Sequence, residues 1–267
     1  MNKPSLYVEA ERCIQACLPA DKVSKTYQVA EAWQQQRLSL DKHEPILTFE
    51  EPGRPAKPEL VPPRDLNRRK ITSKEGHAAL IHSICHIEFN AINLAWDAVY
   101  RFQNMPAAFY TDWVRVAKEE AYHFELLNDH LSTLGYQYGD FAAHNGLWES
   151  ALVTAFDPMV RMALVPRVLE ARGLDVTPGI VKKLKGIGDD KAVDILAIVH
   201  HDEIGHVEIG TRWFRYLCDE RGLDSEKLFM DLINQYMKGT LRGPFDHDVR
   251  KRAGFTEEEL LYLESAK

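Results

Sequence analysis

The sequence predicts an all-α protein, a four-helix bundle with a long crossover and additional helices at both ends. Three observations carry this. Four long segments repeat apolar residues at helical spacing, no segment sustains the period-two alternation of a strand, and one connection between helices is twelve residues long and rich in turn formers. With 267 residues, 45% of them hydrophobic, the chain can bury one substantial core or two small ones.

Near the start, SLYVEAERCIQACL (5–18) places Leu6, Ala10, Cys13 and Cys17 on one side of a helix. VSKTYQVAEAWQQQRLSL (23–40) reads as another short helix or as irregular chain. EEPGRPAKPELVPPRDL (50–66) holds prolines at 52, 55, 58, 62 and 63, which remove donors and fix φ. It is expected as an extended arm, either a linker or a strap. Residues 1–49 therefore form an N-terminal helical extension and 50–71 a proline-rich arm.

From residue 72 the character changes. Thr72–Glu75 in TSKE matches a capping box, and an apolar-periodic helix follows to about Phe102. Asn104 and Pro106 restart a second helix that runs to Leu134 and stops at Gly135. GYQYGDFAAHNG (135–146) could reach roughly 40 Å when extended, enough to cross a bundle. The third helical pattern covers 147–172 and ends at Gly173, with a kink expected at Pro166. GLDVTPGI reads as a break, with a short helix in VTPGIVKKLKGIG. The fourth helix spans 188–220. This gives a bundle over 72–222 and C-terminal helices packed on it over 223–267. Those are SEKLFMDLINQYMKG and TEEELLYLESA, the latter opened by a Thr256–Glu259 capping box, with Phe255 and Leu260 placed to form a hydrophobic staple.

Net charge is −7, which argues against a broad nucleic-acid surface. KKLKGIG (182–188) and RRK (68–70) are short basic clusters that read as solvated surface. No apolar run is long enough to span a membrane, and the opening MNKPSLYVEAERC lacks the build of a secretory signal. The four cysteines, Cys13, Cys17, Cys85 and Cys218, fit neither a disulfide framework nor a paired zinc site. A cytoplasmic location with free thiols is expected.

Chemistry concentrates inside the helices. In HHDEIGH (200–206), Glu203 shares its face with Leu196, Val199, Val207 and Gly210, and projects together with His206. In the second helix, Glu120 and His123 of EAYH repeat the pair among Trp113, Val116, Ala117, Phe124 and Leu127. The first helix embeds Glu88 among Ile81, Ile84, Cys85, Ala91, Ile92 and Ala95. The third offers Glu170 in RVLEARG, for which Arg167 or Arg172 is an alternative salt-bridge partner. The chain thus reads Glu, then Glu-x-x-His, twice, with Glu88 to Glu120 spanning 32 residues and Glu170 to Glu203 spanning 33.

Paired as antiparallel hairpins, these helices would bring four carboxylates and two imidazoles together, a ligand set for two metal ions. Oxygen-rich donors with imidazole suit iron first and manganese second, and zinc less well without thiolate. His200 is a candidate added ligand or supporting donor, and equally a satisfied core histidine. His201 and Asp202 point away. The pair His82 and His86 lies off the Glu88 stripe and reads as structural, while Asn90 and Asp97 read as inter-helix hydrogen bonders. Tyr122 and Trp96 are candidate redox aromatics, although such residues more often pack a core. Cys85 and the pair Cys13/Cys17 read as packing.

On these residues the stretch 72–220 resembles the ferritin-like superfamily in its di-iron carboxylate branch. EARG and EIGH are similar to the second half-site of bacterial tRNA hydroxylases and rubrerythrin-type proteins. The whole chain resembles an uncharacterised bacterial ferritin-like family with a proline-rich N-terminal arm. The resemblance implies Glu88, Glu120, His123, Glu170, Glu203 and His206 as ligands. It implies an oxidoreductase that activates O2 or peroxide, fed by a separate electron donor because no four-cysteine rubredoxin module is present. Two alternatives stand beside it: peroxide or iron handling of the rubrerythrin or manganese-catalase kind, and a non-enzymatic metal-stabilised scaffold. A tRNA substrate and a homodimer are left open.

Overall fold

The computed structural model describes residues 3–67, 69–237 and 241–266. Among them lie eleven α-helices, one 3-10 turn and one π turn, with two isolated bridges in place of any strand. No described helix is long and apolar enough to cross a membrane. The chain forms two compact units, Met1–Leu152 and Val153–Lys267.

The first unit is built on a helical hairpin, α3 (Lys74–Arg101) and α4 (Ala107–Thr133). Both bury apolar residues along most of their length. The helix α1 (Leu6–Gln15) packs on α3, and α2 (Pro19–Gln34) packs on α4. The region expected from Val23 to Leu40 therefore starts earlier, with Pro19 fixing φ in the first turn, and ends at Gln34. The cap of α3 is Ser73 rather than Thr72: its Oγ accepts the Gly76 N–H at 3.0 Å. Ser73 is the residue with extended backbone, which a cap requires.

Polar side chains fasten these layers. Lys22 is fully buried, and its ammonium donates to the Cys13 and Ile14 carbonyls at 2.7 and 2.9 Å and to Asn93 Oδ1 at 2.6 Å. It thereby satisfies carbonyls that the end of α1 leaves open. Trp96 Nε1 donates to Thr26 Oγ1 at 2.9 Å, and the Tyr27 hydroxyl donates to Glu125.

The proline-rich arm is a strap over its own unit. Gly53 N donates to the Ile14 carbonyl at 2.8 Å, and a Cβ at Gly53 would collide with the Gln15 backbone. Trp148, on α5 (Gly146–Val153), donates to both the Phe49 and Glu50 carbonyls at 3.1 Å. Val61 and Ala143 are joined by a 2.8 Å backbone bond.

The second unit comprises α6 (Pro158–Leu164), a π turn (Val165–Glu170), α7 (Ala171–Ile187), α8 (Asp190–Glu220), α9 (Ser225–Tyr236), α10 (His247–Arg252) and α11 (Glu257–Ser265). The single third helix expected over 147–172 is interrupted at 154–157, where Asp157 begins a new helix by accepting the Met159 N–H at 2.8 Å. Pro166 widens the helix into a π turn, since its missing N–H and its ring disrupt the regular ladder. The break expected at GLDVTPGI is absent. The helix passes through Gly173 and Pro178 and ends only at Gly188, whose φ of +80° closes it. Pro178 is tolerated on an exposed face, and the Leu174 carbonyl that it leaves without a helical donor lies 3.4 Å from His200 Nε2 on α8. At the adjacent residue, Arg250 of α10 forms a buried ion pair with Asp175 of α7 at 2.7 Å. The Thr256–Glu259 capping box opens α11 as expected.

Candidate metal centre

In the first unit, α3 and α4 bring three of the expected ligands together. Glu88, Glu120 and His123 are all buried, with Glu120 and His123 at 0% exposure. His123 Nδ1 lies 3.2 Å from Glu88 Oε2 and 3.5 Å from Glu120 Oε2. Each of the three offers a donor atom within 4.8 Å of the others. The apolar residues flanking them on both helices are buried as their spacing requires.

Burial pushes Glu88 well above the usual carboxylate range, and the adjacent Glu120 carboxylate pushes in the same direction, while His123 opposes both. Two carboxylates and an imidazole held in a dry site fit a divalent cation, which would offset the cost of burying the acids. Cys85 lies one turn before Glu88, but burial keeps its thiol protonated and Sγ leans toward the Phe124 carbonyl at 3.9 Å. It is a poor ligand and packs as a small hydrophobe.

In the second unit, Glu203 and His206 share a face of α8, with Oε1 to Nδ1 at 3.7 Å; His206 is fully buried and the Glu203 side chain is 12% exposed. Glu170 closes the π turn, which packs on α8. The alternative partners of Glu170 are engaged elsewhere. Arg167 pairs with Glu259 at 2.6 Å, and Arg172 reaches Asp175 at 3.7 Å and the Pro244 carbonyl at 2.9 Å.

The neighbouring residues sort themselves by contact. His200 serves the Leu174 carbonyl; His201 is exposed and Asp202 half-buried. His82 Nε2 accepts the Gly139 N–H at 2.9 Å, and His86 Nε2 donates to the His144 carbonyl at 3.1 Å. These two bind the 136–145 loop to α3, the structural role expected. Asn90 and Asp97 were expected to bond between helices. Asn90 instead donates to the His86 carbonyl at 2.9 Å, one turn away on α3, where i and i+4 side chains meet; Asp97 pairs with Arg101 at 2.8 Å on the same helix. Trp96 is spent on Thr26, and Tyr122 is 44% exposed. Cys13 is buried, as packing requires, but α1 ends at Gln15 and Cys17 is exposed beyond it, so Cys17 does not pack on the helix face expected.

Of the basic clusters, Lys182, Lys183 and Lys185 are exposed along α7. In RRK, Arg68 lies outside the described residues, while Arg69 pairs with Glu75 at 2.9 Å.

The sequence reading missed the Arg167–Glu259 pair. Its one local signal is an arginine inside the apolar run ALVPRVL. Its partner stands 92 positions later in the chain, beyond any helical periodicity.

The fold and site define an all-helical protein that buries glutamate and histidine pairs within its helices. Residues 15–261 match the family described as "Protein of unknown function (DUF455)", and the chain belongs to that family. It is also 53% identical over 216 residues to an uncharacterized protein of Haemophilus influenzae, an alignment covering 78% of this chain and 75% of that one. No solved structure matches the chain.

Proposed function

We propose that the chain is a ferritin-like di-metal carboxylate protein, with iron as the first choice of metal and manganese the second. Glu88, Glu120 and His123 form one half of the ligand set, and Glu170, Glu203 and His206 the other. The observation that carries this reading is the buried triad of the first unit, whose donor atoms lie within 4.8 Å of one another. Buried acids placed side by side are costly unless a cation compensates them. The second unit repeats the order and the i,i+3 pairing, which supports a second ion.

A bound pair of such ions supplies two-electron chemistry toward dioxygen or peroxide. The chain's own part is to fix the donors on rigid helices and to surround them with apolar side chains that exclude water. Three of the four thiols are buried and none is paired, so electrons would come from a separate donor. The activity is that of an oxidoreductase acting on O2 or peroxide.

Anaerobic loading with ferrous ion followed by metal analysis tests the reading. About two ions per chain are expected, with loss on Glu120→Ala or Glu203→Ala. Trace metal in the loaded wild type would reject it. Peroxide consumption without an organic substrate would assign the iron-bound protein to peroxide handling; oxygen uptake that requires a reductant would assign it to oxygen activation.

A further inference from the structure

We infer that Arg167 and Glu259 form a clamp by which helix α11 sets the position of Glu170, making them a positioning pair for the metal centre proposed above. The inference rests on that proposal.

Arg167 lies within the π turn, three residues before Glu170. Its side chain and that of Glu259 are both 0% exposed, and they pair at 2.6 Å. The guanidinium is enclosed by three rings, with Cζ 4.1 Å from the Phe229 centroid, 4.6 Å from Phe255 and 4.9 Å from Phe214. Its Nε donates to Thr211 Oγ1 at 3.2 Å, while that hydroxyl donates to the Val207 carbonyl at 3.0 Å. Glu259 is held as firmly: its other oxygen accepts the Thr256 N–H at 3.0 Å in the capping box. Beside this assembly, the Pro166 ring sits against Gly210 of α8, where a Cβ would collide with it.

Stability alone does not explain such a pair. A buried ion pair can often be exchanged for apolar residues of similar volume without loss, and three phenylalanines already surround it. The pair adds direction, a link of fixed length between the π turn and α11. That link matters because a π turn carries one residue more than an α-helical turn. Relaxation to α-helical register would rotate α7 by about 100° relative to α6, carrying Glu170 off its face. Phe214, Phe229, Phe255 and Glu259 come from α8, α9, the segment before α11, and α11 itself. The C-terminal helices thereby hold the register of a ligand far from them in sequence.

The test uses the full chain and cobaltous ion, whose visible spectrum reports its coordination. In R167M/E259L the metal-free melting temperature should stay close to that of the wild type. One of the two cobalt equivalents should bind at least tenfold more weakly, with an altered spectrum, while the other is unchanged. Should the double variant fail to fold, E259D keeps the charge, shortens the clamp by one carbon and should show the same selective weakening. Two equivalents of unchanged affinity and spectrum would overturn the inference alone. So would equal weakening of both alongside a lower melting temperature, which would make the clamp a general stability element. A wild type that binds no cobalt would overturn the metal reading and this inference together.

Discussion

His123 Nδ1 lies 3.2 Å from Glu88 Oε2, so α4 and α3 meet through an imidazole and a carboxylate at the level where both helices bury an acid. Glu120 Oε2 approaches the same ring nitrogen at 3.5 Å. One protonatable ring therefore lies against two acids, and the two acids oppose one another's charge.

This crowding of acids gives a prediction of opposite signs. Glu120→Gln should raise the stability of the metal-free protein by about 1 kcal/mol or more, because an ionisable acid beside Glu88 is removed from a dry site. The same change should abolish the rise in melting temperature that ferrous or manganous ion gives the wild type. Thermal melts with and without metal read both effects. A variant that is less stable without metal and still responds to it would contradict the charge argument.

Acidification should loosen the first unit through His82. Burial holds its imidazole down to about 4, against an ordinary value of 6.5. Between those values the unfolded chain binds the proton and the folded chain does not, so stability is full above pH 6.5 and falls as pH drops toward 4. The loss amounts to at most about 3 kcal/mol. The geometry agrees, since a protonated ring could not accept the Gly139 N–H. Chemical denaturation across this window should show the slope, and His82→Gln should reduce it, leaving the share of His86, whose imidazole burial likewise holds down to about 4.

Two glycines of α8 should respond in opposite ways to alanine. Gly205 has nothing within 4 Å of an added Cβ, so Gly205→Ala should stabilise the helix by roughly 0.5–1 kcal/mol. At Gly210 the added Cβ meets the Pro166 ring, and overpacking should make Gly210→Ala destabilising by about 1–3 kcal/mol. Equal effects at the two sites would refute the close approach of α8 to the π turn.

His200 and Pro178 should prove energetically coupled. Pro178→Ala restores the backbone donor for the Leu174 carbonyl, the group that His200 now serves at 3.4 Å. His200→Ala should therefore cost about 1 kcal/mol in the wild type and much less in the Pro178→Ala background. Additivity in that double-mutant cycle would show that the two are independent.

The helices bearing the candidate ligands were legible because amphipathic spacing is local: Glu88, Glu120, His123, Glu203 and His206 all stand on the faces that their apolar neighbours marked. The α7 region was not. Pro178 and Gly173 signal a break by local propensity, but a proline on an exposed face costs the ladder little when a side chain from α8 takes over the orphaned carbonyl. For His200, three residues before Glu203, the sequence left a metal role and a satisfied core role equally open, because its partner is backbone on another helix. Pro166 signalled an irregularity correctly, but nothing local tells a kink from a π turn. That choice depends on what Arg167 meets across the unit.

The anchors of the N-terminal segment also bear on synthesis. Lys22 closes on Asn93, Trp96 on Thr26, Tyr27 on Glu125 and Trp148 on the Phe49 carbonyl, separations of 71, 70, 98 and 99 residues. As the chain leaves the ribosome, its first sixty residues emerge well before the surfaces that they will cover. At roughly 5–20 residues per second, they wait several seconds with apolar side chains uncovered. The strap lacks its Trp148 anchor until that residue has emerged. During that interval the nascent chain is at its most exposed to chaperones and proteases, and variants that weaken the strap should first show themselves as lower yield.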